Sequence, residues 1–243
     1  MQNLINEAAE KIKKSQFLIA FTGAGISVES GIPSFRGKDG LWNRYDPSCL
    51  DISYFFSHAP QAWKVIKEIF YDYFGQAKPN PAHIALAELE KKGILKYVIT
   101  QNIDNLHFEA GNKQVIEFHG NTRQLVCMGC GKIYTREIVY QQAIPLCDTC
   151  HSLLKPDFVF FGEMIPEPAG SDSFQLATKA DVVLVIGATG EVMPACNIPY
   201  YAKQNGATII EINTEPSRFS NSITDIFLQG KASEIMSKIM LSV

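Results

Sequence analysis

The sequence predicts an α/β fold, a parallel sheet covered on both faces and carrying a smaller lobe. Three observations predict it. Short, near-continuously apolar runs alternate with helical patterns, as expected of strands buried on both faces by crossover helices. Two long stretches, 31–77 and 121–157, interrupt that alternation. The second of them holds four of the six cysteines in two Cys-x-x-Cys pairs.

The elements follow in chain order. Residues 3–14 place Leu4, Ile5, Ala8 and Ile12 on one face of a helix. The apolar run 16–21 is a buried strand stopped by the glycines of Thr22-Gly23-Ala24-Gly25-Ile26-Ser27. Asn80 caps a helix with Pro81 in its first turn and Gly93 past its end. Further strands are expected at 94–100, 114–118, 181–187 and 207–213, and a last helix at about 231–241. This predicts a Rossmann-like, doubly wound lobe over 1–30, 78–120 and 158–243. The insertions 31–77, helical, and 121–157, a zinc ribbon, form the smaller lobe.

Composition removes several classes of function. With 46% hydrophobic residues the chain can bury a sizeable core. A net charge of −3, with lysines and arginines scattered, predicts neither nucleic-acid nor polybasic membrane contact. No apolar run reaches bilayer length, and the first fourteen residues carry acids where a targeting segment would be apolar. A cytoplasmic protein is expected, and there paired cysteines point to metal.

Four motifs carry chemistry. Glycines after a strand admit a pyrophosphate, although Val28 stands where the dehydrogenase fingerprint requires glycine. That turn reads either as a phosphate loop or as a tight strand-to-helix connection. Cys127 and Cys130, with Cys147 and Cys150 sixteen residues on, have the spacing of a four-cysteine zinc site, closed and structural. The block 100–107, with Gln101, Asn102 and Asp104, sits at a strand end, where ligands bind in open α/β sheets. Asp104 reads equally as a helix cap. His119, also at a strand end and followed by Gly120, is a candidate general base or a structural histidine.

Together these motifs resemble the sirtuin family. GAGIS at 23–27, GIPSFRGKDGLW at 31–42, TQNIDNLH at 100–107, FHGN at 118–121, the cysteine pairs and PDFVFFGE at 156–163 occur in sirtuin order. Asn105, the Gly187-Ala188-Thr189 triplet and the segment 190–195 depart mildly from the usual pattern. The resemblance implies an NAD-dependent protein-lysine deacylase of bacterial type that releases nicotinamide and O-acyl-ADP-ribose. NAD is then a co-substrate, one zinc ion is structural, and acyl-lysine proteins or peptides are the partners. His119 would be the base, with Asn102 and Asp104 at the nicotinamide. Gly23, Ala24, Gly25 and Ile26 would cradle the pyrophosphate. Phe35 and Arg36 lie on a closing loop. Gln101 and Ile103 belong to the ribose and nicotinamide side, and Gly187, Thr189, Asn213 and Ala232 to the adenosine half. The peptide would lie extended between 159–163 and 191–193, touching Val159, Phe161, Gly162, Glu163 and Val192. Phe158 and Phe160 would be core.

Sirtuins that remove acidic acyl groups carry Tyr and Arg three residues apart on a small-lobe helix. Here Tyr71 matches and Phe74 replaces the Arg, so neutral acyl groups are expected. Longer-chain deacylation and protein ADP-ribosylation are the alternatives. A non-catalytic NAD- or zinc-binding module is the third and conflicts with the intact 101–104 and 118–120 blocks.

Overall fold

The computed structural model describes residues 1–35 and 40–243, and of Tyr73 the backbone only. Its main sheet has six parallel strands in the order β3-β2-β1-β7-β8-β9. These are β1 (Leu18–Thr22), β2 (Leu95–Thr100), β3 (Val115–Glu117), β7 (Val182–Ile186), β8 (Thr208–Asn213) and β9 (Ile226–Gln229). The central pair, LIAFT and VVLVI, is buried at every residue, which explains its unbroken apolar composition. Side chains alternate between two cores. Leu18, Ala20, Leu184 and Ile186 face one, while Ile19, Phe21, Val183 and Val185 face the other.

Helices cover both faces. On the first lie α1 (Gln2–Lys14), α4 (Pro81–Lys91) and α9 (Ala232–Met240), through Ile5, Ile12, Leu86, Leu89 and Ile235. On the second lie α7 (Ala169–Lys179) and α8 (Asn197–Gln204), through Leu176, Ala177, Ile198 and Ala202. The chain crosses one way from β1 to β2 and β3, and the other way from β7 to β8 and β9. The strand order therefore reverses between β1 and β7, which opens a crevice at their carboxyl ends.

The smaller lobe has its own antiparallel sheet, β5-β4-β6, formed by β4 (Gly120–Cys127), β5 (Ile133–Thr135) and β6 (Leu154–Phe158). Its helices are α2 (Ile52–Ser57), α3 (Ala59–Ile66) and α6 (Ile138–Gln141). Residues from both insertions share one core: Phe55, Trp63 and Phe70 pack with Leu125, Cys147 and Leu154. The Trp63 indole donates to the Leu154 carbonyl (3.2 Å). The short α5 (Leu106–Ala110) follows β2. Among the described residues no helix is long and apolar enough to cross a membrane.

Several details differ from the sequence reading. On α1, Leu4 is exposed and Ala9 is buried. The first strand starts two residues later than expected, because Ser15, Gln16 and Phe17 hydrogen-bond the Asp181 carboxylate. The turn at Gly23 leads into a helix of 3-10 form, Ala24–Ser30. The sixth strand, β9, was not anticipated. Asn80 does cap α4, accepting from the Ala82 amide (2.9 Å).

Candidate functional site

A cleft of about 1630 Å³ opens over the carboxyl ends of the sheet strands. Each strand delivers one part of its wall. From β1 come Gly23, Ala24 and Gly25; from β2 come Gln101, Asn102 and Ile103; His119 follows β3. Gly187 and Thr189 follow β7, Asn213 ends β8, and Ala232 stands at the start of α9. The far wall contains Val159, Phe161, Gly162, Glu163 and Val192, with Phe35 at the 31–77 side.

The other predicted residues lie elsewhere. Ile26 is buried beneath the turn. Asp104 and Phe74 line a small pocket that shares Ala24, Phe35, Asn102 and Ile103 with the cleft. Tyr71 is buried in the small-lobe core against Trp63, its hydroxyl without a hydrogen-bond partner among the described residues, and it is Phe70 that reaches the cleft. The expectation that Tyr71 and Phe74 share a helical face meets a π-helix over Lys67–Tyr73, followed by a 3-10 turn from Phe74. A π turn holds more residues than an α turn, so side chains three apart diverge. Arg36 lies outside the described residues. Phe158 and Phe160, expected as core, are buried and stacked on one another, and both also line the cleft.

The turn at 23–25 owes its glycines to close packing against the β7 loop. The Gly25 amide donates to the Gly187 carbonyl (2.9 Å), and a Cβ on Gly25 would stand 2.6 Å from the Gly187 Cα. With both backbones bare, their peptide groups border the cleft, as a pyrophosphate site requires.

His119 Nδ1 lies 3.1 Å from the Gln101 carbonyl oxygen. A carbonyl only accepts, so Nδ1 carries the proton and Nε2 keeps its lone pair. Burial holds the imidazole below its ordinary pKa, opposed by the Gln101 bond. The ring is thus a neutral base at pH 7.

Beneath the cleft floor runs a buried polar network that the sequence reading did not identify. Thr22 Oγ1 donates to Thr100 Oγ1 (2.8 Å), and His107 Nε2 stands 2.9 Å from Thr22 Oγ1. Asn102 Nδ2 donates to the Gly23 carbonyl and to Ser27 Oγ, both at 3.2 Å, and Ser27 Oγ donates to Asp104 (2.7 Å). His83 adjoins Ser27 and is pushed down to about 4 by burial. Burial also raises the Asp104 carboxyl, against the Ser27 and Leu106 hydrogen bonds. Asp104 accepts from the Leu106 amide (3.0 Å) and so also caps α5. The one available signal in the sequence was a histidine on the apolar face of α4. Asn105, with φ of 68°, accepts from Arg123 (2.6 Å), which pairs through its two terminal guanidinium nitrogens with Glu117.

Away from the cleft, the sulfurs of Cys127, Cys130, Cys147 and Cys150 all lie within 4.8 Å of one another, with Cys127–Cys150 at 3.3 Å and Cys130–Cys147 at 3.7 Å. Tetrahedral zinc with bonds of about 2.3 Å separates its sulfurs by about 3.8 Å. Backbone amides of Gly129, Cys130, Thr149 and Cys150 point at two of the sulfurs, and the Tyr134 hydroxyl donates to Cys147 (3.1 Å). Four thiolates with these donors fit one structural zinc ion.

The site has counterparts in known proteins. The Sir2 family model matches residues 23–194. A Pyrococcus furiosus NAD-dependent protein deacylase is 50% identical over 98% of this chain and 97% of its own length. Two solved structures superpose over 98% of this chain and 97% of theirs. One, at 37% identity and TM-score 0.93, is a Sir2 histidine mutant with a deacetylated p53 peptide and 3'-O-acetyl ADP ribose. The other, at 36% identity and TM-score 0.89, is a Sir2 protein bound to a propionylated peptide.

Proposed function

This chain belongs to the Sir2 family, and from that membership we propose how its cleft works as an NAD-dependent protein-lysine deacylase. The observation that carries the reading is His119, a neutral imidazole fixed as the Nδ1–H tautomer at the meeting of three strand ends. Bound NAD supplies an ADP-ribosyl group with nicotinamide as leaving group. The bare backbone at 23–25 and 187 receives the pyrophosphate, and Thr189, Asn213 and Ala232 flank the adenosine side. Asn102, oriented by Gly23 and Ser27, and Asp104, oriented by Ser27, stand at the nicotinamide. Phe35 covers the ribose and excludes water, which would otherwise divert the reaction to hydrolysis. His119 Nε2 takes the proton from a ribose hydroxyl, which turns that oxygen into the acyl acceptor. Transfer of ADP-ribose to a protein would leave this base without a task.

The peptide lies extended between 159–163 and 191–193, held by main-chain pairing that demands little of its sequence. Neutral acyl groups are preferred. Phe74 stands where an arginine would pair an acidic acyl group, and a carboxylate brought against its ring would lose hydration with no cation to replace it. A reducing, cytoplasmic setting suits six cysteines that form no disulfide.

Incubation with NAD and an acetyl-lysine peptide, followed by mass spectrometry, tests the reading. Nicotinamide and O-acetyl-ADP-ribose in equal amounts are expected. ADP-ribose attached to protein without deacetylated peptide would refute it.

A further inference from the structure

Lys155 is a lysine whose ammonium has almost no solvent, its side chain being 9% exposed. A buried charge persists only where it is paired and hydrogen-bonded. Its partners all belong to one segment. Nζ donates to the carbonyls of Phe158 (2.7 Å) and Pro156 (3.0 Å), pairs with Glu163 Oε2 (3.0 Å), and sits 4.4 Å from the centre of the Phe160 ring. Glu163 Oε2 also accepts the Phe160 amide (2.7 Å), and the Glu163 amide returns to the Phe160 carbonyl (3.0 Å). The turn over 160–163, with Gly162 at φ of 90°, is therefore wound around one ammonium group. That turn is the cleft wall formed by Val159, Phe161, Gly162 and Glu163.

Two further ties hold this arm. The Val159 amide bonds the His119 carbonyl (2.9 Å), and Phe161 pairs with Leu50 and Ile52 (2.8 and 3.1 Å). Both are neutral backbone ties that fix the strand's path. Only Lys155, among the described residues, gathers the turn from inside. Lys155 stands opposite Val126 on the neighbouring strand, next to Cys127 of the metal cluster.

We propose that Lys155 is a positioning residue for the acyl-peptide. It acts through Glu163 and the carbonyls of 156 and 158 to set the arm against which the substrate pairs. This rests on the deacylase reading for its substrate. It predicts a change in peptide affinity that leaves NAD affinity alone.

The test replaces Lys155 by Met, which keeps length without charge. Peptide KM should rise about tenfold or more, the scale of buried acceptors left unpaired, with kcat changed less. The Kd for NAD, read by calorimetry on the ligand-free protein, should stay within about twofold, and zinc should remain one per chain. Hydrogen exchange at amides 159–163 should quicken without any ligand present. A folded Lys155→Met protein with unchanged peptide KM and unchanged exchange overturns the proposal, as does an equal loss of NAD affinity. Should Lys155→Met fail to fold, Glu163→Gln is read by the same split and the same exchange. If wild-type protein deacylates no peptide, the functional reading fails, while the exchange experiment still decides the positioning role.

Discussion

Replacing Gly120 by Ala tests the geometry around His119 with little chemical change. Gly120 has φ of 76°, and a Cβ there would lie 2.2 Å from the Asp157 carbonyl oxygen and 2.8 Å from the Phe158 Cα. Both obstacles are backbone, so no side-chain rotation relieves them. The left-handed conformation alone costs alanine about 1–2 kcal/mol. Restoring ordinary contact requires β4 and β6 to part by about 1 Å, and the adjoining bond from Val159 to the His119 carbonyl, 2.9 Å long, breaks at roughly 1 kcal/mol. Residual overlap adds about 1–3 kcal/mol. A loss of about 3–6 kcal/mol is a large share of the 5–15 kcal/mol typical of a domain. Gly206 is the control: its φ is 93° and nothing lies within 4 Å of its Cβ position, so Gly206→Ala should lose only about 1–2 kcal/mol. Urea unfolding of both variants measures the difference. Where Gly120→Ala remains folded, kcat/KM should also fall on the order of 10²-fold, since His119 is displaced on the scale of 1 Å. Equal destabilisation by the two alanines would refute the reasoning.

His119→Ala should stay folded and lose about 10²–10⁴-fold in turnover. Because burial holds its pKa below 6.5 and the protonated ring accepts nothing, kcat/KM should fall on acidification only below that pH; a wild-type acid limb centred at or above pH 7 would contradict this. Metal analysis should find one zinc per chain, and chelation should loosen 121–157 first in hydrogen exchange, whereas zinc-free protein of unchanged stability would oppose the structural role. On matched peptides acetyl-lysine should outperform succinyl-lysine in kcat/KM, and Phe74→Arg should narrow the ratio by supplying a carboxylate partner. Succinyl-lysine as the better substrate of the wild-type protein would overturn the acyl assignment.

The sequence was informative wherever a residue's surroundings repeat its own pattern. The runs 181–187 and 207–213 are apolar because helices cover both faces, and so they read as central strands. The four cysteines carry their metal geometry in their spacing. Strand β9 escaped notice because four residues beyond a serine-rich loop contain no periodicity. Residues 71 and 74 are neighbours on α spacing, but the chain takes a π turn over Lys67–Tyr73, which nothing in the sequence pattern marks. The network of Thr22, Ser27, His83, Thr100 and His107 was unreadable for a different reason. The bonds that join Thr22 to Thr100 and His107, and Ser27 to His83, span at least fifty-six positions of the chain, and only the sheet order brings these residues together.

The partner of His119 has a consequence for mutational robustness. A histidine oriented by an acidic side chain loses its tautomer when that side chain mutates, and while paired it is made more basic by the negative charge. Here the orienting group is the carbonyl of residue 101, which every amino acid supplies. The side chain at 101 is thereby free to vary with the ligand it faces without detuning the neighbouring imidazole. The carbonyl is also uncharged, so the ring is aligned without being drawn toward protonation. Alignment and basicity, coupled in a carboxylate-bound histidine, are set independently in this one.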